Sequence, residues 1–220
     1  MKNIIIIGTG GFTAEIVEYI HANQKHLEGF DYAIKGFLDI NDENHKHYAY
    51  AYPLLGDETN YKIDENDVFI LGIGEIELMP VRQKIVTALQ SKGATFINLV
   101  HHTVNVPTST LLGEGNIIAP FSVIGPNSKI GDFNAINYHS SIAHDSSIGS
   151  YHILSPSTTI TGWVVVGSMN FFGTSTSVIP SINIGDTNKI QSGVIIEKDI
   201  KDGGFVFSSS KTKQMILGKL

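Results

Sequence analysis

The sequence contains no cysteine. Disulfides, thiolate nucleophiles and Cys-ligated metals are therefore excluded at the outset. It has no basic run, and its formal net charge is −6 at pH 7. Nothing supplies the cationic footprint that a nucleic-acid backbone requires. No apolar stretch approaches the roughly 20 residues needed to span a bilayer. Met1-Lys2-Asn3 runs straight into a short strand-like segment and lacks a secretory signal's apolar core. The expectation is a cytoplasmic protein that neither inserts in membranes nor binds nucleic acid. What is present describes a globular chain: 220 residues, 42% hydrophobic and 16% charged. That length fits one large domain or two small ones with a real core.

The strongest signal is periodic. Stepping by six from Val100 reaches Val106, Leu112, Ile118, Ile124, Ile130, Ile136, Ile142, Ile148, Leu154, Ile160, Val166, Phe172, Val178, Ile184, Ile190 and Ile196. Every position is aliphatic or aromatic. Glycine follows at 113, 125, 131, 149, 167, 173 and 185, and a small hydroxyl residue recurs at Ser122, Ser128, Ser140, Ser146, Thr158 and Thr176. A β-sandwich has no reason to hold a strict six-residue phase. A triangular solenoid does: each hexad is one short strand and one corner, and three hexads close a coil. Residues 18 apart then lie above one another. The glycine either relieves crowding or permits a positive φ at the corner.

The N-terminal part reads differently. Ile4–Ile7 is a buried-strand signal, Gly8-Thr9-Gly10-Gly11 is a turn, and a helical pattern follows from Ala14 to Ile20. Further strands are expected at Ile34–Leu38, ending at Asp39, and at Val68–Ile73. A helix is expected from about Pro80 to Ser91, and a last strand over Thr95–Val100. This is a small three- or four-stranded parallel α/β domain. Its strand–glycine turn–helix opening can bring phosphates onto backbone N–H groups. Thr13 stands where the dinucleotide fingerprint has its last glycine, and the unit is too short for two mononucleotide halves, so NAD is disfavoured. The domains are read as 1–99 and 100–220.

The hexads Leu112-Gly113-Glu114-Gly115-Asn116-Ile117, Ile124-Gly125-Pro126-Asn127-Ser128-Lys129 and Ile130-Gly131-Asp132-Phe133-Asn134-Ala135 resemble those of the hexapeptide-repeat acyltransferases. That resemblance implies a left-handed parallel β-helix, a homotrimer, and acetyl-CoA held between adjacent helices. A glycine-turn α/β unit of about a hundred residues placed before such repeats is similar to the bacillosamine-pathway and sialic-acid acetyltransferases. The resemblance implies that Gly8, Gly10, Gly11 and Phe12 approach a nucleotide-linked sugar, with Asp39 facing its base or ribose. The family carries His and Gly where this chain has Phe12 and Thr13.

Acetyl transfer needs a base, an oxyanion donor and a slot for the pantetheine arm. His144-Asp145 matches the family's His followed by an acid, with His144 as base and Asp145 fixing its tautomer. One coil further, residue 162 is glycine, whose N–H the resemblance assigns to the oxyanion. The resemblance also points to Asn137 near the reacting group, and to His152 and Lys211 as acetyl-CoA contacts. No covalent acyl-enzyme is expected. The expected reaction is N-acetylation of a nucleotide-linked 4-amino-4,6-dideoxyhexose for surface glycans. Alternatives are O-acetylation of a sugar such as sialic acid, a non-catalytic nucleotide-sugar-binding scaffold, and a γ-carbonic-anhydrase-type zinc site built from His102, His139 and His144.

Overall fold

The computed structural model describes residues 1–208 apart from 76 and 78. The N-terminal unit runs β1 (Lys2–Ile7), α1 (Gly11–His26), β2 (Tyr32–Leu38), α2 (Glu43–His47), β3 (Asp67–Leu71) and α3 (Met79–Ser91). The three strands are parallel in the order β2-β1-β3. β1 is central and is covered on both faces, which is why it reads as an unbroken isoleucine run. Alternation sorts its side chains. Ile4 and Ile6 pack with Ile16 and Ile20 of α1, while Ile5 and Ile7 pack with Val86 and Leu89 of α3.

The last expected strand does not join this sheet as a strand. Phe96 makes one isolated parallel bridge to Phe69, with Phe69 N–H donating to Thr95 O at 2.9 Å. Leu99–Val100 then pairs in parallel with Ile117–Ile118 and becomes the first rung of the repeat region.

That region is a left-handed parallel β-helix with three sheets. Two-residue strands recur at the six-residue step, and partners are 18 residues apart, as in Ser141↔Thr159 and Ile142↔Ile160. The second residue of each strand points inward: Ile118, Ile136, Ile142, Leu154, Ile160, Phe172 and Val178 are all 0% exposed. Truncating one of these, for example Ile142→Ala, removes about 2–5 kcal/mol of stability.

The corners settle the two roles open to glycine. The repeated glycines have ordinary φ, and positive φ falls two residues later, on Asn127, Phe133, Tyr151 and Met169, and likewise on Asp145 and Trp163 in hexads without the glycine. The glycines are there for space. A Cβ on Gly131 would stand 2.6 Å from Gly149 O, and one on Gly113, Gly125 or Gly149 would also meet the backbone of the next coil. The left-handed corners cost roughly 1–2 kcal/mol each for non-glycine residues. The recurrent hydroxyls help to hold them: Ser128 Oγ donates to Gly125 O at 2.8 Å and Thr176 Oγ1 to Gly173 O at 2.7 Å.

The α/β unit is fixed to one face of this prism. Outward residues of one sheet, Leu99, Ile117, Ala135 and Ile153, are buried against it. Arg82 of α3, 1% exposed, donates to Phe133 O at 2.8 Å, Tyr151 O at 3.3 Å and His152 O at 3.4 Å. Burial pulls its guanidinium down to about 10. Among the described residues, the contacts of this unit fall on that face and its edges, away from the corner between the other two faces.

Candidate active site

That uncovered corner follows Ser141–Ile142 and precedes Ser147–Ile148. Its equivalent positions in successive coils are Pro126, His144, Gly162 and Pro180. His144 is half exposed, and its Nδ1 lies 2.8 Å from Asp145 Oδ2. Asp145 sits at φ 58, a conformation acidic residues tolerate, which turns its carboxylate back to the preceding ring. Nδ1–H donates to this carboxylate, so Nε2 keeps a lone pair for an incoming proton.

The imidazole rests on Gly162 of the next coil. A Cβ there would stand 2.8 Å from Cε1 and 2.9 Å from Nε2 of the ring. Among the described residues the Gly162 N–H meets no acceptor. Pro126 and Pro180 have no N–H to offer, so Gly162 supplies a main-chain donor next to the imidazole. Trp163 completes the corner, its ring 6.1 Å from that of His144 and nearly perpendicular to it.

The other histidines separate. His152, read from the resemblance as a coenzyme contact, is 0% exposed and lies inside the coil wall. Its Nδ1 accepts from Asn170 N–H at 3.0 Å and its Nε2 donates to Gly167 O at 2.9 Å. This is the bonding that Asn116, Asn134 and Asn170 make in their own coils. His152 thus replaces an asparagine in a buried polar ladder, and burial lowers its pKa to about 4. Asn137 lies at the preceding corner, where its Oδ1 accepts from Tyr138 N–H at 2.9 Å, so it does not join His144 within one chain.

Within one chain the three histidines of the zinc alternative are not brought together. His139 stacks on Phe121 at that preceding corner, 5.4 Å between centroids, and His102 stacks on His26 of α1 at 4.6 Å. Among the described residues no group of three or more His, Asp or Glu is placed to hold a metal ion. Lys211 lies outside the described residues.

A second site lies in the α/β unit. Gly8, Gly10, Gly11, Phe12 and Asp39 all line one cleft of about 500 Å³. Gly8 has φ 95, which lets the chain leave β1 sharply. Among the described residues the N–H groups of Gly11 and Phe12, at the start of the 16-residue α1, donate to nothing, which leaves an anion-binding terminus open. The Thr13 hydroxyl donates to Gly8 O at 3.0 Å or Gly72 O at 3.2 Å, tying the turn to the end of β3. Asp39 accepts from Thr9 Oγ1 at 2.5 Å and from Ile40 N–H at 2.7 Å.

Sequence reasoning missed the wall formed by α2 and the residues after it. Asn41, Asn44 and Glu58 line the cleft, together with Glu75. Tyr50 Oη meets the carbonyls of Thr9 and Gly10 at 3.2 and 3.1 Å. The tyrosine run from Tyr48 to Tyr52 was the available signal. The charged side chains lining this cleft are all carboxylates.

The α/β unit and the solenoid that carry these two features both have known counterparts. Residues 3–89 match the model of the PglD N-terminal domain. Nearly the whole chain shares its fold with solved structures, acetyltransferases among them. A histidine-to-asparagine variant of perosamine N-acetyltransferase from Caulobacter crescentus, in complex with CoA and GDP-perosamine, is 24% identical with a TM-score of 0.79, and the match covers 98% of each chain. The acetyltransferase domain of PglB from Neisseria gonorrhoeae, in complex with acetyl coenzyme A, is 20% identical with a TM-score of 0.78, covering 92% of this chain and 94% of that one. WeeI from Acinetobacter baumannii is 21% identical with a TM-score of 0.78, covering 96% and 99%. No curated protein matches the chain.

Proposed function

We propose that this protein transfers an acetyl group from acetyl-CoA to the amino group of a nucleotide-linked amino sugar of the 4-amino-4,6-dideoxyhexose type, for surface glycan synthesis in the cytoplasm. The observation that carries the reading is the His144–Asp145 pair set against the unpartnered N–H of Gly162. The Caulobacter relative, which holds CoA and GDP-perosamine in the same fold, supports it.

The neutral amine nitrogen attacks the thioester carbonyl carbon. His144 Nε2 takes the amine proton, and Asp145 stabilises the imidazolium that forms. The Gly162 N–H holds the developing oxyanion. Collapse breaks the carbon–sulfur bond, and the CoA thiolate leaves to be protonated. The glycine turn and the first N–H groups of α1 hold the diphosphate, with no cation lining the cleft to assist. Asp39, Asn41 and Asn44 accept from the base and ribose.

We read the assembly as a homotrimer, and the same geometry supports that reading. The cleft belongs to the unit on one prism face, while His144 lies at the corner between the other two. With cleft and base set apart in this way, a neighbouring chain is read as supplying the sugar. The test is CoA release from acetyl-CoA with a panel of UDP-, dTDP- and GDP-linked amino sugars and free sialic acid. Turnover of an amino sugar supports the reading. Turnover of sialic acid alone would move it to O-acetylation, and no turnover of any of them sinks it.

A further inference from the structure

Trp163 is the only tryptophan in the chain, and it is 59% exposed. Its backbone has φ 64, a conformation that bulky residues seldom adopt. Other bulky residues at equivalent corners have a packing role. Phe133 stacks on Tyr151 at 5.1 Å beneath the α/β unit, Met169 packs beside Met79 and Ile153, and Phe121 stacks on His139 at 5.4 Å. In the column of Trp163 itself the positions are Asn127, Asp145 and Ser181, all small and polar. Among the described residues the ring that Trp163 meets is that of His144, at 6.1 Å and 86°. Packing within the chain does not account for a large apolar side chain here.

The position relative to the chemistry does. An acceptor must bring its nucleophile within hydrogen-bond distance of His144 Nε2, about 3 Å. The carbon that bears the nucleophile then lies roughly one van der Waals contact, about 4 Å, further on. With the indole centroid 6.1 Å from the imidazole and its plane nearly perpendicular, the two rings form two walls of an angle. A sugar ring entering that angle touches both.

We propose that Trp163 is an acceptor-binding residue: its indole packs against the apolar C–H face of the sugar ring next to the nucleophile and orients it toward His144. This rests on the transferase reading given above, and it adds the residue that selects the acceptor. The thioester, held at the Gly162 N–H, does not depend on the indole.

Two measurements on the full chain test this. In the first, Trp163→Ala raises the KM for the sugar that the wild type turns over by about tenfold, Trp163→Phe restores most of it, and the KM for acetyl-CoA stays within about twofold. An unchanged sugar KM, or a shift in the acetyl-CoA KM instead, overturns the proposal. So does a change of oligomeric state in Trp163→Ala, which would place the indole in a subunit contact. The second measurement needs no turnover. Trp163 is the sole indole, so its fluorescence reports this corner directly. Titration with GDP-perosamine and with UDP- and dTDP-linked 4-amino-4,6-dideoxyhexoses gives a saturable change for at least one of them, and acetyl-CoA alone gives none. Silence to every sugar, or a response to acetyl-CoA alone, overturns the assignment. A wild type that releases no CoA but shows the sugar-dependent change overturns the transferase reading and leaves the Trp163 contact standing.

Discussion

The imidazole of His144 lies against the backbone of Gly162 one coil away, with no room for a side chain between them. The φ of Gly162 is not in the left-handed region, so alanine fits the backbone there. Its methyl group would have to push the half-exposed ring off its seat and away from Asp145. Gly162→Ala is therefore expected to lower kcat by roughly 10²-fold or more, in the range for a lost general base. Its thermal midpoint should stay near that of the wild type, because the displaced ring is at the surface. A variant with full kcat would remove Gly162 from the reaction. A variant that unfolds would show that the contact is structural instead.

Asp145 acts on the proton inventory of His144, and its replacement separates orientation from charge. Asn fits the left-handed backbone at φ 58 and keeps the size. It can present an amide N–H to Nδ1, which moves the imidazole proton to Nε2, where the base needs a lone pair. Asp145→Asn should lower kcat by at least about tenfold and leave the acetyl-CoA KM unchanged. A lowered kcat with the sugar KM unchanged would tie the defect to proton removal, and a raised sugar KM would point to a displaced ring.

Much of this architecture was legible in the chain. The six-residue phase fixed the solenoid, the stacking of 144 over 162 and the place of the inward isoleucines, because a coil of constant length turns sequence distance into position. The Ile4–Ile7 run and the glycine turn gave β1 and the start of α1. Two things were not legible. The strand expected at Thr95–Val100 divides between the two units, since Phe96 bridges Phe69 while Leu99 already pairs with Ile117. Local pattern alone cannot say which partner wins. His152 looked like a site residue because the family resemblance points to a coenzyme-contacting histidine in this coil. The asparagines at 98, 116, 134, 170 and 188, all in one 18-residue phase, were the signal that position 152 belongs to a buried ladder.

That ladder has a pH signature. In the folded chain His152 is neutral, with its pKa lowered to about 4 by burial. In the unfolded chain it titrates near 6.5. Below pH 6.5 the unfolded state takes up a proton that the folded state refuses, so stability falls as pH drops toward 4 and is unaffected by this group at higher pH. The slope approaches about 1.4 kcal/mol per pH unit within that window. His152→Asn restores the residue of the neighbouring coils and has no titration there. Urea unfolding at pH 6.5, 5.5 and 4.5 should show a steeper loss for the wild type than for the variant. The variant should also keep its acetyl-CoA KM, because the side chain is enclosed. Parallel pH profiles would remove the buried-neutral assignment, and a raised coenzyme KM would return His152 to the active site.

The separation of cleft and base on different sides of the prism makes a last prediction about assembly. Asp39→Ala disables the cleft by removing the carboxylate held by Thr9 and Ile40. His144→Ala disables the corner. Each variant alone should retain under about a hundredth of the wild-type rate. Within a chain the two lesions lie apart, since Asp39 follows β2 in the α/β unit and His144 sits at the corner between the two faces away from that unit. If each active site joins the cleft of one subunit to the corner of the next, then unfolding the two variants together and refolding the mixture creates oligomers in which some sites have both parts intact. Activity should then rise well above the sum of the separately refolded variants. The gain should disappear when the variants are refolded apart and mixed only afterwards. A mixture no more active than its components would mean that each chain serves its own base, and the composite site would have to be abandoned.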